Sequence, residues 1–392
     1  MKILTVNAGS SSLKFNVIEL PEEKELISGY FQRIGIGNSF YDIKINGEKT
    51  KNTVELNNHI EAVECLKEEL FKNNIIESLD EIGGVGHRLV HGGDKFKSSV
   101  VITDEVLEAC EAFNELAPLH NPAMLACVKA FKEAMPTTPM VAVFDTSFHQ
   151  TMEPKEYIYP VPYEWYTKYG VRKYGFHGTS HRFINKSISE EFKRDDLKVI
   201  SCHIGSGASI CAINAGKVVD TSMGFSPLAG LMMGTRCGDI DSSIIPFIMN
   251  KENKTADEVF NDLNKNSGFL GVSGVSSDSR DIEDGIAAGN ERCKLAQEIF
   301  CQKVANYIAM YNNILNGSDV IVFTAGLGEN SKDTRKTICD MIASLGVKID
   351  VEENDFRGKF KKISTADSKI PVYVVPTDEE LMIALDTYEL IK

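Results

Sequence analysis

A chain of 392 residues is longer than one hydrophobic core usually spans, so two domains are expected, and 43% hydrophobic with 25% charged residues is ordinary for a globular protein. The net charge of −14 is spread along the chain rather than gathered in a tail, which argues against nucleic acid as a partner. There is no apolar run of membrane-spanning length and no charged leader, and nine Cys without a C-x-x-C exclude a zinc ribbon or disulfide framework; a cytoplasmic chain with reduced, mostly buried thiols is expected.

The first elements are the strand ILTV, the stretch NAGSSSLKF (Asn7 to Phe15) and the alternating run FNVIEL, together a β-hairpin with a Gly-Ser turn. Gly9 permits close backbone approach, Ser10, Ser11 and Ser12 offer donors, and Lys14 follows one pleat beyond, a set of groups suited to a phosphate. Residues 60 to 71 place Ile60, Val63, Leu66 and Leu70 on one helical stripe. IGGVGHRLVHGG is strand-like, so His87 and His91 do not have the helical spacing of a zinc site. Neither they nor His177 with His181 carry the H-E-x-x-H glutamate, and no metal role for histidine is expected.

Asn121-Pro122 reads as an N-cap followed by proline at the first helical position. The strand MVAVFD ends in Asp145, where a carboxylate is costly unless it meets water, metal or arginine. The change of domain is expected after FDTSFHQ. KVISCHIGSGASICAINAGKVVD then repeats the opening layout of strand, polar residue, Gly-Ser turn and second strand. A long apolar-striped helix covers about 290 to 315, and FTAGLGENS carries a strand over 319 to 325 through a glycine turn into a helix near Ser331. Such a turn presents free N–H groups and a positive dipole end to an anion, or lets a flat base lie on the backbone. PVYVVP is a last strand, and in TDEE Thr377 and Glu380 fit a capping box.

Strands alternating with helices indicate an α/β class, and three glycine-rich turns in both halves favour a nucleotide held in a cleft between two similar domains. There is no G-x-x-x-x-G-K-[ST] and no G-x-G-x-x-G, so neither a P-loop nor a dinucleotide-binding fingerprint is present. That shifts weight to the duplicated actin-like ATPase class.

The motifs NAGSSSLKF, GHRLVHGG, FDTSFHQTM, YGFHGTSH, HIGSGAS, MGTRCGDID, DSRDIE, TAGLGENS and VPTDEELMIA together resemble the acetate kinase family, within the acetate and sugar kinase, heat-shock protein and actin superfamily. The resemblance covers essentially the whole chain. It implies two duplicated ribonuclease H-like domains, 1–148 plus 381–392 and 149–380, with the nucleotide cleft between them, and a homodimer. It also implies reversible, direct in-line phosphoryl transfer from ATP to acetate, giving acetyl phosphate and ADP, with magnesium or alternatively manganese.

By the same resemblance Arg88 and Arg236 hold the carboxylate and the γ-phosphoryl group, and His177 donates to the phosphoryl in transfer. Asp145 belongs with them. Acetate has no proton to remove near neutral pH, so Asp145 is expected to orient an arginine or the hydrated metal rather than act as a base. Asn7 and a glutamate of TDEEL serve the metal; with Glu380 assigned to the capping box, Glu379 is expected. Val90, Leu119, Phe176 and Pro227 match the family's small apolar acid pocket. The nucleotide is expected on Ser10, Ser12 and Lys14, on His203, Ile204, Gly205, Ser206 and Gly207, and against Asp278, Ser279, Arg280, Gly326, Leu327, Gly328, Glu329 and Asn330. Ser206 departs from the family loop H-[IL]-G-N-G, keeping the backbone donors but losing a side-chain amide. Propionate or butyrate kinase is the near alternative, an actin-like nucleotide switch the distant one, and a sugar kinase lacks an evident hydroxyl base.

Overall fold

The computed structural model describes residues 1–114 and 121–392. They form two compact units, Met1–Phe148 with Asp378–Lys392, and His149–Thr377. The first holds β1 (Lys2–Gly9), β2 (Ser12–Glu19), β3 (Lys24–Gln32), β4 (Phe40–Ile45), β5 (Glu48–Thr53), β6 (Ile82–Leu89), β7 (Val100–Val101) and β8 (Met140–Phe144) in one sheet of order β5-β4-β3-β2-β1-β6-β8-β7. The second holds β9 (Lys198–Ile204), β10 (Ala208–Asn214), β11 (Lys217–Thr221), β12 (Val320–Thr324), β13 (Lys361–Lys362) and β14 (Val372–Val374), in the order β11-β10-β9-β12-β14-β13.

The two sheets share a central pattern. In the first, β3, β2 and β1 are antiparallel and β1, β6 and β8 parallel; in the second, β11, β10 and β9 are antiparallel and β9, β12 and β14 parallel. The duplicated α/β layout expected from the repeated hairpin is therefore present in both units. The parallel strands MVAVF and VIVFT are buried at every position, as strands covered on both faces require. The edge strand EKTKNT is nearly all exposed and charged or polar, which discourages pairing with another chain.

The helix His59–Lys72 buries Val63, Leu66 and Leu70, but Ile60 at the edge of that stripe is 54% exposed. Asn121 does not act as the free cap its sequence suggests. Its side chain is buried and trades hydrogen bonds with the His91 backbone, accepting from its N–H at 3.3 Å and donating to its carbonyl at 3.2 Å.

The expected capping box at TDEE is also absent. The last helix, Glu379–Ile391, is capped by Asp378, whose side chain accepts from the Leu381 N–H at 2.8 Å, while Glu380 forms an ion pair with Lys14. The first unit's second segment accordingly starts at the cap, Asp378, rather than at 381. This helix lies so close to β6 that a Cβ on Gly86 would come within 2.3 Å of Thr387 Oγ1, which explains a glycine in the middle of a strand. All nine cysteines are free, seven of them buried. No helix among the described residues is long and apolar enough to cross a membrane.

Candidate active site

In the first unit three neighbouring parallel strands end together. β1 carries Asn7 near its end, β6 carries Arg88, and Asp145 follows β8; the register pairs Val6 with His87 and Leu89 with Phe144. Carboxyl ends of parallel strands are where α/β sheets place ligands. Arg88 Nε and Nη2 donate to the two oxygens of Asp145 at 2.9 and 2.5 Å, and Nη1 donates to Asn7 Oδ1 at 3.1 Å. The planar fork fits a carboxylate bidentately, and the Asp145 side chain is only 2% exposed.

Glu379, at the start of the last helix, approaches Arg88 Nε to 4.0 Å. Burial, with Asp145 and Glu380 nearby, pushes its carboxyl up to about 7 against the opposing pull of Arg88 and Lys14. The charge here is not balanced: two carboxylates and a third from Glu380 share Arg88 and Lys14. Among the described residues no group of three or more His, Cys, Asp or Glu side chains is placed to hold a metal ion, so the set offers the Asp145 and Glu379 carboxylates beside the Asn7 amide.

The first hairpin pairs Gly9 with Ser12 across Ser10 and Ser11, and His59 Nε2 lies 2.8 Å from the Gly9 carbonyl. Lys14 stands opposite Asn7 in the hairpin and forms an ion pair with Glu380. Val90 is buried two residues past Arg88. Leu119 lies outside the described residues.

In the second unit His177 adopts a left-handed conformation, φ 59°, at the entry to the helix Gly178–Phe192. Its ring stacks on His203 at 4.1 Å, and Nδ1 lies 2.9 Å from Ser209 Oγ. A Cβ on Gly207 would sit 3.5 Å from His177 Nε2 and 3.7 Å from Arg236 Nη1, so these groups surround the tip of the second hairpin. Arg236 has no carboxylate partner among the described residues. Its Nη1 donates to the Pro227 carbonyl at 3.1 Å, and burial lowers its proton affinity with nothing to offset it. Phe176 is buried, and its carbonyl lies 2.9 Å from His149 Nε2.

The same unit contains a cavity of about 510 Å³ whose wall includes Gly205, Ser206, Asp278, Ser279, Arg280, Gly326, Leu327 and Asn330. Three segments far apart in sequence thus meet at one hollow. Not on that wall are His203, Ile204, Gly207, Gly328 and Glu329. Glu329 instead holds the turn: its Oε1 accepts from the N–H groups of Ala325 at 2.8 Å and Thr377 at 3.1 Å. The turn itself is a short helix, Ala325–Asn330, and the next, Lys332–Met341, is capped by Ser331. The wall also holds Gly234, Phe269, Ser277, Glu283, Ser331 and Arg357, which the sequence reading missed. Phe269 reads as ordinary core in SGFLG, and Arg357 in NDFRGK has no neighbouring signal.

Residues 2–385 match the model of the acetokinase family. An acetate kinase of Bacillus velezensis is 51% identical over 391 residues, 99% of each chain. The crystal structure of Porphyromonas gingivalis acetate kinase is similar at a TM-score of 0.95 and 45% identity, covering 100% of both chains. A propionate kinase structure from Francisella tularensis is similar at a TM-score of 0.94 and 40% identity over 99% of each.

Proposed function

Because the chain belongs to the acetokinase family, we propose that Asn7, Arg88, Asp145 and Glu379 of its first unit and His177 and Arg236 of its second carry the transfer of a phosphoryl group between ATP and acetate. The enzyme is an acetate kinase, phosphorylating acetate at the expense of ATP and releasing acetyl phosphate and ADP. The observation that carries the residue assignment is Arg236, a half-buried guanidinium with no carboxylate partner among the described residues.

Phosphoryl transfer asks little covalent chemistry of a protein; it needs in-line alignment and positive charge around a group whose charge spreads as it moves. Arg236 supplies a donor not committed to any carboxylate. His177, locked by stacking on His203 and by Ser209, donates to the same oxygens. Arg88, fixed by Asp145 and Asn7, orients the acetate carboxylate, which is already ionised and needs no base. The cavity at Ser206, Asp278 and Gly326 takes the nucleoside. Asn7, Asp145 and Glu379 would hold a magnesium ion, directly or through its waters, and the ion would neutralise charge on the phosphates. The same reading includes a cytoplasmic homodimer.

Glu379→Gln should raise the magnesium concentration for half-maximal rate, because outer partners of bound metals typically account for about 10-fold to 100-fold in affinity. Glu380→Gln should release Lys14 and leave the magnesium dependence near wild type. Magnesium titrations of both variants check this, and equal shifts would contradict the assignment.

Acid choice rests on volume, since nothing polar remains beyond the carboxylate. Val90→Ala should raise the propionate-to-acetate ratio of kcat/KM by about 10-fold, chiefly through the KM for propionate, as one methylene in an apolar pocket is worth roughly 1 to 3 kcal/mol. An unchanged ratio at saturating ATP would return Val90 to the core.

A further inference from the structure

The nucleotide cavity leans on a cation that does not line it. Arg335, on the helix Lys332–Met341, is fully buried and is among the largest fully buried side chains of the described residues. It has no carboxylate partner among the described residues; every acceptor it meets is neutral. Nε donates to Asn354 Oδ1 at 2.7 Å, Nη2 to the carbonyls of Asn354 at 2.8 Å and Phe356 at 3.2 Å, and Nη1 to the Gly328 carbonyl at 3.0 Å. The guanidinium carbon lies 5.0 Å from the centre of the Phe356 ring.

Burying a charge without a counter-ion is expensive, and an apolar side chain would fill the same space at lower cost. What an apolar residue could not do is tie two segments together. One is the Gly326–Asn330 turn, reached through Gly328; the other is the stretch from Asn354 to Phe356, which leads directly into Arg357. Both segments contribute wall to the cavity, through Gly326, Leu327 and Asn330 on one side and Arg357 on the other. A second strap runs parallel to the first, from the Gly358 N–H to the Glu329 carbonyl at 3.1 Å.

We propose that Arg335 is a positioning residue for the nucleotide: its fork sets the distance between the Gly326–Asn330 turn and the Arg357 segment, and so tunes nucleotide affinity without touching the nucleotide. The inference rests on the cavity being the nucleotide site. A lysine keeps the charge but is a point donor on a flexible stem and cannot hold three carbonyls and an amide oxygen in one plane.

The test is calorimetric titration of ADP into the full-length protein, with steady-state KM values for ATP and acetate. Arg335→Lys should raise the ADP Kd and the ATP KM together by about 10-fold, the cost of one or two lost charged hydrogen bonds, and leave the acetate KM within about 2-fold. Combining Arg335→Lys with Arg357→Ala should cost less than the sum of the two, because both act through the same segment. An unchanged ADP Kd, a parallel rise of both KM values, or strict additivity would overturn the proposal. If Arg335→Lys does not fold, Asn354→Ala, which removes only the Nε acceptor and its link to Lys332, should give a smaller rise confined to the nucleotide, and no rise would again overturn it. Gly326→Leu separates the premise from the inference. A Cβ there meets nothing within 4 Å, so the added side chain starts from open space on the cavity wall. If ADP still binds to that variant with wild-type affinity, the cavity reading fails, whatever Arg335 does.

Discussion

Arg236→Ala is expected to lower kcat by about 100-fold to 1000-fold, the usual loss when one preorganised donor to a developing charge is removed. The variant should fold as well as the wild type. Arg236 forms no ion pair among the described residues, so its removal orphans no carboxylate, and it relieves a desolvated charge. The loop that presents it is fixed by backbone contacts instead. The Met233 N–H donates to the Arg236 carbonyl at 3.0 Å, and Gly238 at φ 71° and Gly268 at φ 61° are packed where a Cβ would strike Gly230, Leu231 and Met233 backbone. Thermal denaturation and steady-state rates on the same preparation check both halves; a near-wild-type kcat would take Arg236 out of the site.

Arg88→Ala is expected to behave differently. Its turnover should also fall by about 100-fold or more, but here the fold suffers too. Arg88 is the only described cation within ion-pair distance of Asp145, whose side chain is 2% exposed. Breaking one partner out of a buried pair typically costs about 3 to 5 kcal/mol because the other charge is left uncompensated. The double variant Arg88→Ala with Asp145→Asn removes that charge, so it should recover most of the lost melting temperature and none of the activity. Recovery of activity in the double variant would make Arg88 a structural residue only.

In sequence the two arginines look alike, each in a short glycine-rich motif, GHRLV and GTRCG. Their difference, one locked by a carboxylate and one in no ion pair among the described residues, comes from tertiary contacts 57 residues apart in the chain for Arg88 and Asp145, which no local pattern reports. The elements most legible in the sequence are those whose signal is local: the buried parallel strands as continuous apolar runs, the two hairpins as a repeated strand-turn-strand text, and the helix Glu291–Ile314 with its Asn290 cap. The hidden features are the reverse. TDEE reads as a capping box of Thr377 and Glu380, yet Asp378 caps the helix and Glu380 pairs with Lys14. Nothing local in KDTRKTICDM marks Arg335 as wholly buried, since its partners come from Asn354 and Phe356 about twenty residues on. Glu329 sits within a glycine turn suited to a ligand but spends its carboxylate on the backbone of Ala325 and Thr377.

The most direct test of the central claim is product formation. The protein is incubated with ATP, magnesium and acetate in the presence of hydroxylamine, and acyl phosphate is read as acetyl hydroxamate alongside ADP. Hydroxamate and ADP should appear in equal amounts, both dependent on acetate, and the reverse reaction should make ATP from acetyl phosphate and ADP. ADP formed at the same rate without acetate, or no hydroxamate with it, would contradict the account.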